Sequence, residues 1–293
     1  MESSALKPAP KALPYIALAS GILALSLSAL FVRWAEAPGT ITTFYRMAFA
    51  ALFMLPFYLR HQQRAAQRTP WRLLAWTLVG GLFTALDHIF WAVGIQYTTV
   101  ANATLLNYIA PLWVSVFAFL VWKEKMPRVF WAGLVLTLTG AAVVFGNDIL
   151  RNPHLSRGDL LATISSLFYA AYFLTTQRAR RSLDTMSYIW PVVVVCAVIL
   201  LGVNLAAGIP LTGYSAQAYL TFLGAALISQ VIGYFSVGYA LGHLPASVVS
   251  PTMILQPVFT ALLAIPLAGE LLSLPQLLGG LAVLLGIFLV NRR

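Results

Sequence analysis

Apolar residues gather along the chain into ten uninterrupted runs parted by short polar segments: 14–32, 40–59, 73–96, 101–121, 129–146, 159–177, 187–207, 217–240, 246–266 and 275–291. Each is close to the roughly 20 residues that carry an α-helix across a ~30 Å hydrocarbon layer. Backbone N–H and C=O groups find no water there, so a helix that bonds them internally is the available solution. The pattern predicts an all-α integral membrane protein with ten transmembrane helices. Lys7 and Lys11 precede the first run as they would a signal peptide. That run is longer than a usual signal core and nine more follow, so it reads as the first helix.

The fourth and ninth runs share a pattern. "LLNYIAPLWVSVFAFLVWKE" (105–124) holds Pro111 and Glu124 thirteen residues apart, and "PTMILQPVFTALLAIPLAGE" (251–270) holds Pro257 and Glu270 at the same spacing. A shift of 146 residues aligns both pairs and also Gly133 with Gly279 and Gly140 with Gly286. Slightly upstream, a shift of 144 aligns Gly80 with Gly224 and Gly94 with Gly238. Runs one to five therefore correspond to runs six to ten. Five is odd, so a unit that starts on one side of the membrane ends on the other, and its copy runs in the opposite sense. The expected organisation is a tail (1–13), a first repeat (14–147), an external linker (148–158) and an inverted second repeat (159–293). Inverted repeats are a hallmark of secondary transporters, whose two halves exchange roles between inward-open and outward-open states.

Charge then orients the bundle. Lysine and arginine favour cytoplasmic loops. One side would carry Lys7, Lys11, Arg60, Arg64, Arg68, Arg72, Lys123, Lys125, Arg128, Arg178, Arg180, Arg181, Arg292 and Arg293, fourteen in all. The other has Arg33, Arg151 and Arg157, and Arg46 lies inside a run. Both termini are expected in the cytoplasm. The net charge of +10 is thereby a mark of insertion and of contact with membrane lipid, and calls for no nucleic acid. Composition agrees, with 60% hydrophobic residues, 9% charged and a mean hydropathy of +0.84; a soluble domain would carry about a quarter charged residues. The single Cys196 excludes an intrachain disulfide framework and reads as a buried inert thiol.

Ionisable groups inside a membrane are costly and face a cavity or a partner. Three lie well within runs: Arg46, Asp87 and His88. At 1.5 Å per residue Asp87 lies about 21 Å from the cytoplasmic start of its helix and Arg46 about 9 Å from the external start of its own. Both then sit roughly 9 Å below the outer face of a ~30 Å core, and a pair is expected. A static salt bridge, or Arg46 snorkelling to Glu36, competes with a substrate role. The third run presents Gly80, Thr84, Asp87 or His88, Trp91 and Gly94 on one stripe. Trp91 offers a ring for stacking and His88 a titratable donor, and plain interhelical packing is the competing reading. Similar inward stripes hold Asn107, Pro111 and Ser115; Ser165 or Ser166, Tyr169, Tyr172 and Thr176; and Gln230, Gly233, Tyr234 and Gly238. The expected substrate-binding set is therefore Arg46, Asp87, His88, Trp91, Asn107, Tyr169, Tyr172, Gln230 and Tyr234. Pro111 and Pro257 remove a backbone hydrogen bond, and with Gly94 and Gly238 they are the candidate hinges. Gly133, Gly140, Gly279 and Gly286 read as close-packing seams.

No P-loop is present, the four histidines are scattered without metal-ligand spacing, and the core lacks paired carboxylates. Neither enzyme activity, cofactor nor metal is expected, and an intramembrane enzyme or sensor is the less supported class. Ten runs in two inverted halves, with "APLWVSVFAFLVWKE" and "QPVFTALLAIPLAGE" at matching places, resemble the drug/metabolite transporter superfamily in its branch of tandem EamA-type domains. The resemblance covers essentially all of 14–293. Within that branch "DHIFWAVGIQY" is similar to exporters of aromatic and other neutral amino acids. It implies a basket of helices around a central cavity, the fifth and tenth peripheral, in the inner membrane of a bacterium, with a neutral or aromatic amino acid as cargo. A monomer is the expected working unit. A drug, sugar or lipid-linked metabolite is the alternative cargo on the same fold.

Overall fold

The computed structural model describes residues 12–64, 71–98, 100–145, 156–268 and 273–292. Glu270, Lys7, Lys11, Arg68, Arg151, His154, Arg293 and most of the linker 148–158 lie outside the described residues. Every regular element among the described residues is helical. In chain order they are α1 (Leu13–Ser26), α2 (Ser28–Ala35), α3 (Gly39–Arg64), α4 (Trp71–Gly94), α5 (Val100–Asn107), α6 (Ala110–Leu120), α7 (Arg128–Phe145) and α8 (Arg157–Ala179). There follow α9 (Thr185–Ala206), α10 (Ala216–Gly224), a π-helical stretch (Ala225–Tyr234), α11 (Phe235–Leu241), α12 (Ala246–Thr252), α13 (Leu255–Ala268) and α14 (Leu274–Asn291).

Among the described residues eight helical segments are long and apolar enough to cross a membrane, and the chain is a multi-pass membrane protein. The shorter apolar stretch Arg128–Val144 belongs to α7. α8 spans 23 residues but is too polar to join them. Its polar side chains explain why: Ser165, Ser166, Tyr169, Tyr172, Thr175, Thr176 and Gln177 are all buried in the protein rather than turned to lipid. Outside the bundle, residues such as Leu52, Leu78, Leu160, Leu220 and Phe288 stand exposed. That distribution suits a hydrocarbon solvent. Cys196 is fully buried, as its place in an apolar run suggests.

The fourth and ninth expected spans are each broken, at 108–109 between α5 and α6 and at 253–254 between α12 and α13. The prolines account for both breaks. Pro111 and Pro257 lie in the first turns of α6 and α13. A proline has no N–H for the carbonyl four residues earlier, here Asn107 and Met253. The chain tightens instead to the bonds Leu112 N–H to Ile109 O (2.8 Å) and Gln256 N–H to Met253 O (3.0 Å).

Helix pairing follows one rule. α4 packs on α8, and α1 packs on the π-helical stretch and α11; α3 packs on α9 and α7 on α14. Contacts within each pair run antiparallel. Asp87 bonds Ser165 while Thr98 bonds Asp159, and Thr40 bonds Asn204 while Trp190 bonds the Ala51 carbonyl. In the last pair a Cβ on Gly133 would stand 2.7 Å from the Gly286 carbonyl oxygen, and one on Gly140 would stand 2.7 Å from that of Gly279. Only glycine lets these two backbones touch. The expected seams are therefore a single seam, in which each glycine meets the partner helix.

One pole of the bundle gathers Arg60, Arg64, Lys123, Lys125, Arg128, Arg178, Arg180 and Arg181, and its connections are tied together. Ser247 donates to Glu124 Oε2 (2.7 Å) and the Ala246 N–H to Gln177 Oε1 (2.8 Å). Arg180 is buried, and donates to the carbonyls of Gly238 (3.0 Å) and Leu183. His61 lies 3.0 Å from Asp184, and Arg181 stands over the Trp122 ring.

Candidate functional site

A cavity of about 160 Å³ opens where both broken spans interrupt their helices. α1 and α2 bring Leu25, Phe31 and Val32 to its wall, with Ser28 among them. α3 supplies Thr42, Thr43 and Arg46; α4 supplies Asp87, His88 and Trp91. Thr104, Asn107 and Tyr108 come from the first break and Gln256 and Thr260 from the second, while Tyr169, Ala225 and Tyr234 complete the wall. All of these stand away from the basic pole in sequence position along their helices. Regular α-helix gives way to a π-helical turn from Ala225 to Tyr234, two residues of which line the cavity; such turns often mark functional sites.

The polar core of this cavity is a chain of side chains from four helices. Asp87 Oδ1 accepts from Asn107 Nδ2 (2.8 Å) and Ser165 Oγ (2.9 Å). His88 Nδ1 lies 3.7 Å from Asp87 Oδ2. On its other edge His88 Nε2 stands 2.8 Å from Arg46 Nη2. Arginine only donates, so Nε2 is the acceptor and His88 is the neutral ring with its proton on Nδ1, turned toward Asp87. Arg46 is 8% exposed, and its guanidinium carbon lies 5.9 Å from the centre of the Tyr234 ring. Arg46 and Asp87 thus stand at one level, as their depths imply, but the expected direct pair is replaced by a relay through His88. Glu36 is exposed in a left-handed turn after α2 and takes no part.

Seven of the nine expected binding residues share this wall: Arg46, Asp87, His88, Trp91, Asn107, Tyr169 and Tyr234. The other two stand behind it. Tyr172 packs edge-on to Tyr234, ring centres 6.1 Å apart, and Gln230 is buried with no partner for its Oε1. Of the expected hinges, the two prolines start the second halves of the broken spans. Gly94 ends α4, where a Cβ would lie 3.1 Å from the Gly158 carbonyl oxygen. Gly238 lies in regular α11, its carbonyl held by Arg180. Sequence reasoning missed Ser28, Tyr108 and Gln256. The signal for the last two was present: they stand three residues and one residue before the two matched prolines.

Comparison with known proteins agrees with this architecture. The model of the EamA-like transporter family matches twice, over residues 12–146 and 156–292. A curated relative from Archaeoglobus fulgidus, named an uncharacterized transporter, is 26% identical over 265 residues, 90% of each chain. YdfC of Bacillus subtilis, also named an uncharacterized transporter, is 23% identical over 83% of this chain and 78% of its own. A riboflavin transporter from Rhizobium johnstonii is 28% identical over 74% of this chain and 71% of its own. One solved crystal structure superposes with a TM-score of 0.80 over 95% of this chain and 97% of its own, at 18% identity, a likeness of fold alone. Matched along nearly its whole length, and twice over, the chain belongs to the EamA-like transporter family.

Proposed function

We propose that this transporter exports small amphipathic metabolites, aromatic and other neutral amino acids above all, across the bacterial inner membrane by alternating access. In this reading the chain is two inverted five-helix repeats, 14–147 and 159–293, joined by 148–158, with ten spans and both termini in the cytoplasm. The basic pole is the cytoplasmic one. Pro111 and Pro257, with Gly94 and Gly238, accommodate the rocking motion.

One observation carries the cargo assignment. The cavity sets a buried cation, Arg46, and a buried carboxylate, Asp87, beside the rings of Trp91, Tyr108, Tyr169 and Tyr234. A solute with charged groups at one end and an aromatic body at the other matches both linings; a neutral sugar would leave Arg46 and Asp87 without counter-charges. Tyr172 and Gln230 support the wall from behind. The relative named a riboflavin transporter favours a second cargo, a planar heteroaromatic, on the same rings.

Counterflow in vesicles loaded with phenylalanine, with labelled phenylalanine, tryptophan, alanine, glucose and riboflavin outside, tests the assignment. Saturable exchange of the aromatic amino acids is expected. Exchange of riboflavin or glucose alone would overturn it. Repeating the assay with a pH gradient separates proton-coupled from downhill export.

A further inference from the structure

We propose that Arg46 and Ser28 form a carboxylate subsite in the cavity, next to an ammonium subsite on Asp87 across the His88 ring, so that the cargo is recognised as a zwitterion. This rests on the cavity being the transport site, and deepens that reading by naming which group binds each charge.

Several polar atoms of the wall are already paired within the protein. The hydroxyls of Thr42, Thr43 and Thr260 donate to the carbonyls of Pro38 (3.2 Å), Gly39 (2.9 Å) and Ser26 (2.7 Å). Two buried donors of the same wall have no partner: Arg46 Nε and Ser28 Oγ. A buried guanidinium N–H left unpaired costs its full desolvation, and a membrane protein keeps such a group where a ligand completes it. Arg46 Nε–H can only donate and the Ser28 hydroxyl can donate as well, so one acceptor atom of a ligand can complete both. His88 already takes one guanidinium N–H and is held neutral by doing so. This leaves Arg46 cationic and free to bind an oxyanion through Nε–H.

The other edge of the His88 ring is complementary. Asp87 Oδ1 is occupied by Asn107 and Ser165, while Oδ2 meets only the distant Nδ1 of His88. With His88 neutral, Arg46 and Asp87 balance to zero. A solute carrying one charge would leave the other member of the pair unanswered in a low-dielectric site. A zwitterion answers both.

The test uses the purified full chain and three probes that share a phenyl ring: phenylalanine, 3-phenylpropionate without the ammonium group, and phenethylamine without the carboxylate. Binding is read by ligand-dependent thermal shift and by competition in counterflow. Ser28→Ala is the decisive variant, because it removes an unpartnered hydroxyl and leaves the melting temperature unchanged or slightly raised. It should weaken phenylalanine and 3-phenylpropionate about tenfold while sparing phenethylamine. Arg46→Gln should weaken the same two probes more strongly, and Asp87→Asn should weaken phenethylamine instead. Equal losses for all three probes, or none, in Ser28→Ala would overturn the subsite, as would failure of the wild-type protein to bind any carboxylate probe. If 3-phenylpropionate binds in a Ser28-dependent way but amino acids are not exchanged, the subsite stands and the cargo assignment falls. Exchange of phenylalanine with no selective loss gives the reverse.

Discussion

Asp184 shows how single residues hold the pole that carries the basic side chains. It caps α9, accepting from the Ser187 N–H at 3.0 Å, and faces His61 on α3, with Arg180 as its other charged neighbour. Burial alone would raise its pKa, but the bonds from Ser187 and His61 outweigh that and hold it below the usual carboxylate range. A carboxylate depressed by folding contributes stability that is complete above its unfolded pKa, and that stability is lost as pH falls through the folded one. The melting temperature in detergent should therefore drop below about pH 4, near the ordinary carboxylate value. Asp184→Asn, which keeps the helix cap, should melt lower at neutral pH and show a shallower acid decline. In the cavity, sequence depth was enough to bring Arg46 and Asp87 to one level. The His88 relay between them depends on side-chain rotamers and on the facing of α4, which spacing along one helix does not encode. Ser28 was invisible for a related reason: a serine in an apolar run is ordinary until its neighbours prove to offer it nothing.

At the level of elements the apolar runs predicted nearly every helix, because length and hydropathy alone decide what can cross a lipid layer. The breaks were legible only in part. The prolines marked them, yet the interruption lies before each proline, at the carbonyl that loses its donor. Pro111→Ala would give Asn107 a helical partner, and Pro257→Ala would do the same for Met253. Each should let its span close into continuous helix, raising the melting temperature by about 1–3 °C, a few tenths of a kcal/mol or more on a chain of this size, and slowing counterflow severalfold. Unchanged kinetics in both variants would show that the breaks shape the cavity without bending. The π-helical stretch left no mark in the apolar pattern, since one extra residue per turn changes phase but not composition.

At the scale of the molecule, the antiparallel pairing keeps its form when the halves are exchanged: α4 on α8 answers α1 on α11, and α3 on α9 and α7 on α14 answer themselves. Single cysteines test the implied inversion, with the buried Cys196 a silent background. Lys125→Cys should be labelled only from the cytoplasm and Leu274→Cys only from outside. Labelling of both from one compartment would rule out the inverted arrangement. The likeness of the halves also has a limit set by the bond from Ser247 to Glu124. Under the 146-residue shift Ser247 becomes Ala101, which has no hydroxyl to give. The matched position thus lacks this donor, and on the proposed alternating-access reading the two facing states are unequal in energy. On that reading, a hydrogen bond of about 1 kcal/mol on one side only would tilt the resting population roughly fivefold toward closure at the basic pole. Ser247→Ala should level that tilt, seen as greater reaction of a cavity cysteine from the cytoplasmic side. On the proposed export reading, a carrier so biased idles with its basic pole shut, and loading becomes the step that must be driven.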